Sequence, residues 1–204
     1  MLTARYAALQ SSYWSAFCLV INFVSVFLLA HGLTNAQIGV LMAVASAVAT
    51  VVQPIVAGLV DRSRLPLRLW LVMGGIAVAA LAAALLPQGG GMLVAIAYGL
   101  LVALIQVVQP IVNSVGMAAI SQGFRVNFGV ARACGSVSYA LLSLGAGALV
   151  AATSAKSLLL LLVVAAAAFV VASATFVLRH PGTTAPEGRP PGSPHGSERT
   201  DVEP

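Results

Sequence analysis

The chain has 204 residues, of which 60% are hydrophobic and 7% charged, with a formal net charge of +5 and a mean hydropathy of +1.01. Soluble domains carry roughly 25% charged residues, so a soluble globular domain is excluded and the chain reads as an integral membrane protein. The basic residues stand between apolar runs, which makes them topology signals and excludes a nucleic-acid footprint.

A membrane-spanning helix needs about 20 mostly apolar residues. Six segments qualify, at about 11–31, 38–60, 69–87, 92–120, 133–153 and 157–178. The first is too long for a signal-peptide core and no small-residue cleavage pattern follows it, so it reads as a retained span. The breaks carry turn chemistry: His31 to Asn35, Asp61 to Arg68, Pro87 to Gly91, Ser121 to Gly129 and Thr153 to Lys156. The fourth segment is overlong for a bilayer and is expected to tilt or to emerge at one end. Residues 1–178 thus form a six-helix bundle. Residues 179–204 are rich in Pro, Gly, Ser and Thr, contain no apolar run, and are expected to be a disordered cytoplasmic tail.

Orientation follows from the charges. The loop Asp61-Arg62-Ser63-Arg64-Leu65-Pro66-Leu67-Arg68 cannot lie in hydrocarbon. Its arginines fall on the same side as Arg5, Arg125, Arg132, Arg179, Arg189 and Arg199, whereas Lys156 falls on the other. The positive-inside rule then places both termini in the cytoplasm of a multi-pass cell-membrane protein. Trp14 and Trp70 are expected near the cytoplasmic ends of spans 1 and 3, in an aromatic belt. Cys18 and Cys134 lie inside or at the edge of apolar segments and read as buried thiols rather than a disulfide.

The polar residues within the spans are unevenly shared. In span 1, Ser11, Ser15, Cys18, Asn22 and Ser25 recur at three- and four-residue steps along one face. Span 2 carries Ser46, Thr50 and Gln53; span 4 carries Gln106, Gln109 and Asn113; span 5 carries Arg132, Ser136, Tyr139 and Ser143. No polar side chain occurs from Leu71 to Leu86 in span 3 or from Leu158 to Val171 in span 6. Unsatisfied amides and guanidinium groups in lipid cost several kcal/mol each in order of magnitude. Spans 1, 2, 4 and 5 should therefore face a watery cavity or a protein interior, and spans 3 and 6 should face lipid. Small polar residues that only glue helices together are the alternative.

Spans 2 and 4 share a hexapeptide, Val51-Val52-Gln53-Pro54-Ile55-Val56 and Val107-Val108-Gln109-Pro110-Ile111-Val112. Each proline frees a backbone carbonyl and kinks its helix, which membrane helices tolerate when a neighbour satisfies the freed group. Metal and cofactor chemistry finds no motif. His31, His180 and His195 are isolated, and Gly89-Gly90-Gly91 lacks the Lys-Ser/Thr of a phosphate loop. Gly135-Ser136 invites an intramembrane serine protease, but no span offers a histidine to activate the serine, so an enzyme is not expected.

Together the six spans resemble the N-terminal half of the major facilitator superfamily, an all-α membrane fold in which six helices form a 3+3 inverted repeat. Gly58 to Arg68 resembles the family signature between helices 2 and 3. It keeps Asp61-Arg62, with Arg64 where a Gly is usual and Pro66 where a basic residue is usual. Asn127-Phe128-Gly129-Val130-Ala131-Arg132-Ala133-Cys134-Gly135-Ser136-Val137-Ser138-Tyr139-Ala140 is similar to the start of helix 5 in lactose-permease-like sugar/proton symporters, as is Gln53-Pro54 before Asp61. The resemblance implies that Arg132 binds substrate hydroxyls, that Tyr139 stands for an aromatic packed on a sugar ring, and that helices 1, 2, 4 and 5 line the cavity. The symporter group places a substrate-binding Glu on helix 4. Here Asn113 to Ala119 is acid-free, and Asn113 stands in as a neutral hydrogen-bonding group.

The resulting expectation is a secondary transporter half that moves a small polar solute, such as a sugar or nucleoside, by proton symport. Its site would comprise Arg132, Ser136 and Tyr139 from span 5, Asn113 and Gln106 from span 4 and Asn22 from span 1, with Asp61 and Arg62 as a gating and topology loop. Family transporters have two such halves with the site between them, so the sequence is expected to be a truncated product, a fragment, or a half that pairs with another half or a second copy. The other reading is a transport-inactive six-span subunit or regulator that binds a partner transporter.

Overall fold

The computed structural model describes residues 2–87, 89 and 91–177, and the expected tail 179–204 lies outside them. Seven helices make up the described part: α1 (Leu2–Ile21), α2 (Val24–Ala30), α3 (Asn35–Arg62), α4 (Leu67–Leu85), α5 (Met92–Ser121), α6 (Phe128–Ala152) and α7 (Lys156–Thr175). No strand occurs among the described residues. Helices α3 to α7 are each long and apolar enough to cross a membrane, and α1 with α2 adds a sixth crossing if the pair, bent by 41°, is one span.

The first span differs from the sequence expectation at its start and by an internal break. Its helix begins at Leu2 rather than near residue 11, because Leu9, Tyr6 and Tyr13 carry a buried face back toward the N-terminus. It also breaks at Asn22–Phe23, so the stripe from Ser11 to Ser25 straddles a bend. Arg132 does not open its helix either. Asn127 caps α6, its Oδ1 accepting from the Val130 N–H at 3.0 Å, and Arg132 sits one turn inside. At the head of α3, Thr34 and Gln37 form a capping box: Thr34 Oγ1 accepts from the Gln37 N–H, and Gln37 Oε1 accepts from the Thr34 N–H. Gly32 and Gly123 close α2 and α5 at φ of 87° and 82°, each with the paired backbone bonds of a Schellman stop.

Helix α1 lies at the centre, packed along α6, α7 and α5, while α3 rests on α5 and α4 rests on α7 and α5. The α1–α5 seam is antiparallel and is fastened at three levels by tyrosine hydroxyls that donate to main-chain carbonyls. Tyr6 donates to Val112, Tyr13 to Ile105, and Tyr98 to Val20, at 3.3, 2.8 and 2.9 Å. The rungs are seven residues apart on both helices, so a two-turn repeat sets the register. Close approach elsewhere depends on missing side chains. A Cβ on Gly116 would lie 2.3 Å from the Tyr6 ring, and one on Gly75 would lie 2.7 Å from Val170.

Pro110 removes the N–H that would bond the Gln106 carbonyl. Gln53 Nε2 donates to that carbonyl at 3.1 Å, and Gln106 Nε2 donates to Ser46 Oγ at 3.2 Å. The two helices that share the hexapeptide are thereby clipped together at the proline.

Helices α4 and α7 pack on each other through Gly75, Phe169 and Val170 and turn Met73, Ile76, Leu160, Val164 and Val171 outward. Each has one buried and one bare face. Val78, on a polar-free segment expected to face lipid, is buried inside the bundle at 2% exposure. The barest helices are α3 and α6, on opposite flanks of the α1–α5 pair. Val40, Val44, Val48, Val51, Ile55 and Leu59 form an exposed ridge on α3, and Val137, Leu141 and Leu144 do so on α6.

Candidate functional site

Tyr6, Gln10 and Trp14 stand at four-residue steps on α1 and carry a single hydrogen-bonded chain. Gln10 is fully buried yet every one of its polar groups is used. Its Nε2 donates to Tyr6 Oη at 2.7 Å and to Asn113 Oδ1 at 3.3 Å, and its Oε1 accepts from Trp14 Nε1 at 3.0 Å. Tyr6 Oη in turn donates to the Val112 carbonyl. The buried amide is affordable because the neighbouring helix supplies the partners it would lack in lipid.

Arg132 comes to this chain from α6. Its guanidinium carbon lies 4.2 Å from the centre of the Trp14 ring, a cation–π contact. Its Nη1 is buried and has no hydrogen-bond partner. Gly135 makes the approach possible, since a Cβ there would lie 2.6 Å from Trp14 Cδ1 and 3.4 Å from the Gln10 carbonyl. Tyr139, two turns along α6, places its ring 6.4 Å from Trp14. Because α1 begins at Leu2, Trp14 lies about three turns inside the helix and serves the α1–α6 seam. Trp70 does lie near the head of α4, donating to Ser63 Oγ at 3.0 Å.

The expected site residues thus do not gather in one place. Arg132, Tyr139 and Asn113 meet around Gln10 and Trp14. Asn22 lies about 12 Å further along α1, donating to Ser143 Oγ at 2.6 Å, with the Cys18 thiol against both. Gln106 belongs to the α3–α5 clip and also reaches the Val102 carbonyl. Ser136 is exposed, its hydroxyl turned back on the Arg132 carbonyl at 3.4 Å. Asp61 and Arg62 are exposed in the last turn of α3, and Asp61 borders a cavity of about 280 Å³ with Gln53, Pro110 and Ser114.

A larger cavity, about 690 Å³, lies elsewhere, between the bend after α2, α3 and the first half of α5. Val40, Val44, Leu100 and Ala103 line it, so it is an apolar hollow with few groups to orient a polar ligand. Chemistry and volume do not coincide, and the polar cluster at Arg132 is the better candidate for recognition. Sequence reasoning missed Tyr6, Gln10 and Trp14 as its members. The signal was present in their four-residue spacing but lay across the assumed start of span 1. No group of three His, Cys, Asp or Glu side chains that could hold a metal forms among the described residues.

A bundle of membrane-length apolar helices with a buried polar cluster defines a multi-pass membrane protein. The chain matches the MFS_1-like family across residues 5–189 and belongs to it, which places it in the major facilitator superfamily and makes it a transporter-type protein. No curated protein and no solved structure matches the chain.

Proposed function

We propose that this chain forms the N-terminal six-helix half of a secondary active transporter that moves a small polar solute, of the sugar or nucleoside kind, by alternating access with proton symport. The observation that carries the reading is Arg132, a cation one turn inside an apolar helix, stacked on Trp14 with Nη1 unpaired. A cation within a span costs about 2.5–3.5 kcal/mol near the bilayer centre and less toward the ends. A purely structural role gives this one no acceptor. Arg132 and Asn113 would hold the solute, with Tyr139 against its apolar face. Asn22 and Ser143 would form a second polar station along the same seam. Asp61 and Arg62 would act in the loop that couples α3 to α4.

The helix contacts support a 3+3 repeat. Exchanging the first three spans for the last three turns the α1–α6 contact into α5–α3 and the α1–α7 contact into α5–α4, and both counterparts exist. The arginines of the α3–α4 and α5–α6 connections and of α1 share one end of the bundle, which supports cytoplasmic termini. The bare ridges of α3 and α6 support a facing half, either a further segment or a second copy. The same ridges favour the second reading, a transport-inactive subunit that covers a partner transporter.

The test is Arg132→Lys in the assembled transporter. The substitution keeps the charge and loses the planar fork. Binding and uptake should fall while expression and topology remain normal. Unchanged binding would make Arg132 a membrane anchor and remove the site.

A further inference from the structure

The geometry points to a solute that brings its own negative charge: the Arg132–Trp14 site takes a hydroxylated carboxylate, of the sugar-acid kind, rather than a neutral sugar. This deepens the reading of Arg132 as a solute residue and rests on it.

Two observations carry the inference. The first is charge balance. Asp61 is the only carboxylate among the described residues, and it lies in the last, exposed turn of α3. No ion pair forms among the described residues, and Arg132 meets the Trp14 ring face, which supplies no hydrogen-bond acceptor. A hydroxyl-bearing neutral solute would leave the cation, whose Nη1 is buried, without a counter-charge, and an uncompensated buried charge is costly. A carboxylate offers two acceptor oxygens to the guanidinium fork.

The second observation is the direction of the hydrogen-bonded chain. An indole N–H can only donate, so the Trp14 contact fixes Gln10 with Oε1 toward the indole. Gln10 Nε2 must then face Tyr6 and Asn113, and Asn113 must receive it on Oδ1. That leaves Asn113 Nδ2 as the group to donate outward. Each amide oxygen of the chain already accepts a hydrogen bond within it, while Arg132 Nη1 and Asn113 Nδ2 are donors with no partner in the chain. Donors gathered beside one unpaired cation complement an anion, and they mismatch a ligand that must donate as often as it accepts.

Trp14 is itself the reporter. In a Trp70→Phe background of the full chain, purified in detergent, Trp14 is the only indole, since the protein has two tryptophans. Its fluorescence is quenched with iodide, a small anion, and in parallel with neutral acrylamide. Iodide should quench the Arg132 protein roughly tenfold more efficiently than the Arg132→Gln variant, because the guanidinium concentrates anions at the ring. Acrylamide should quench both alike, which shows that the fold is kept.

Acetate and D-glucuronate should then protect Trp14 from iodide, and acetamide and D-glucose should not. Protection by the neutral members to the same extent overturns the anionic class while leaving a polar-solute site. Failure of both carboxylates to protect also overturns it. Equal iodide quenching with and without Arg132 overturns the anion site and the solute reading together. If Arg132→Gln unfolds, as raised acrylamide quenching would reveal, Arg132→Lys carries the test. It keeps the iodide attraction and should protect severalfold less well with acetate. Unchanged acetate protection there overturns recognition by the fork.

Discussion

Gln53 Nε2 donates to the main-chain carbonyl of Gln106 at 3.1 Å, and that carbonyl is the one Pro110 leaves without its helical partner. A defect in one helix is therefore repaired by a side chain of another. Gln53→Leu should destabilise the bundle by about 0.6–1.7 kcal/mol, the range for hydrogen bonds between membrane helices. Pro110→Ala restores an N–H to the Gln106 carbonyl, so the double variant should cost clearly less than the sum of the two. Unfolding in a denaturing-detergent titration measures both, and strict additivity would show that Gln53 does not act through the proline.

The three tyrosine rungs on the α1–α5 seam are not equivalent. Ile105 keeps its helical N–H partner whether or not Tyr13 donates to it, so Tyr13→Phe should cost only about 0.6 kcal/mol. Tyr6 also accepts from Gln10, which is fully buried. Tyr6→Phe strands a buried donor, and the penalty for that is about 1–3 kcal/mol. The same detergent titration should rank Tyr6→Phe well above Tyr13→Phe. A reversed order would mean that Gln10 finds another partner.

These rungs mark where the sequence was readable and where it was not. Apolar length and turn residues anticipate the ends of helices α3 to α7 to within five residues, because each is bounded by Gly, Pro or charge. Thr34 with Gln37, Gly32 and Gly123 carry that punctuation in local chemistry. Asn113 and Arg132, both taken from the polar stripes, reach one cluster around Gln10 and Trp14, whereas α3 and α6, which carry two of the stripes, are the barest helices of the bundle. Gln106 was assigned to the solute site on type and depth alone. Its engagement with Ser46 depends on the kink at Pro110 and on the parallel course of α3 and α5, which no one-dimensional pattern contains. Gln10 was missed because a hydropathy window discounts a polar residue near a helix start, although Tyr6, Gln10 and Trp14 share one face.

Burial within the bundle separates positions that hydropathy treats as equal. After replacement of Cys18 and Cys134, a cysteine at Val164, which is 65% exposed on the outer face of α7, should resist water-soluble maleimide and react with a lipid-soluble one. A cysteine at Val78, at 2% exposure, should react with neither. One at Asn22, on the exposed side of the α1 bend, should react with the water-soluble reagent. Labelling of Val164 from water would place α7 against an aqueous cavity and reverse the outward assignment of that face.

Gly135 offers the sharpest test of the seam, because α6 contains matched controls. A Cβ at Gly135 would meet Trp14 Cδ1 at 2.6 Å and the Gln10 carbonyl at 3.4 Å, whereas Gly145 and Gly147 have nothing within 4 Å. Gly145→Ala and Gly147→Ala should be neutral or stabilise by about 0.5–1 kcal/mol, since alanine loses less backbone entropy in a helix. Gly135→Ala gains the same entropy but must push the indole away. Trp14 would then lose its hydrogen bond to Gln10 and its contact with Arg132 together. The expected outcome is a net loss of stability of about 1–3 kcal/mol, the usual cost of overpacking. It should come with a shifted Trp14 emission and weakened binding of whatever solute Arg132 holds. If Gly135→Ala behaves like the two controls in thermal unfolding and in emission, α1 and α6 are looser than these distances require, and Trp14 does not position Arg132.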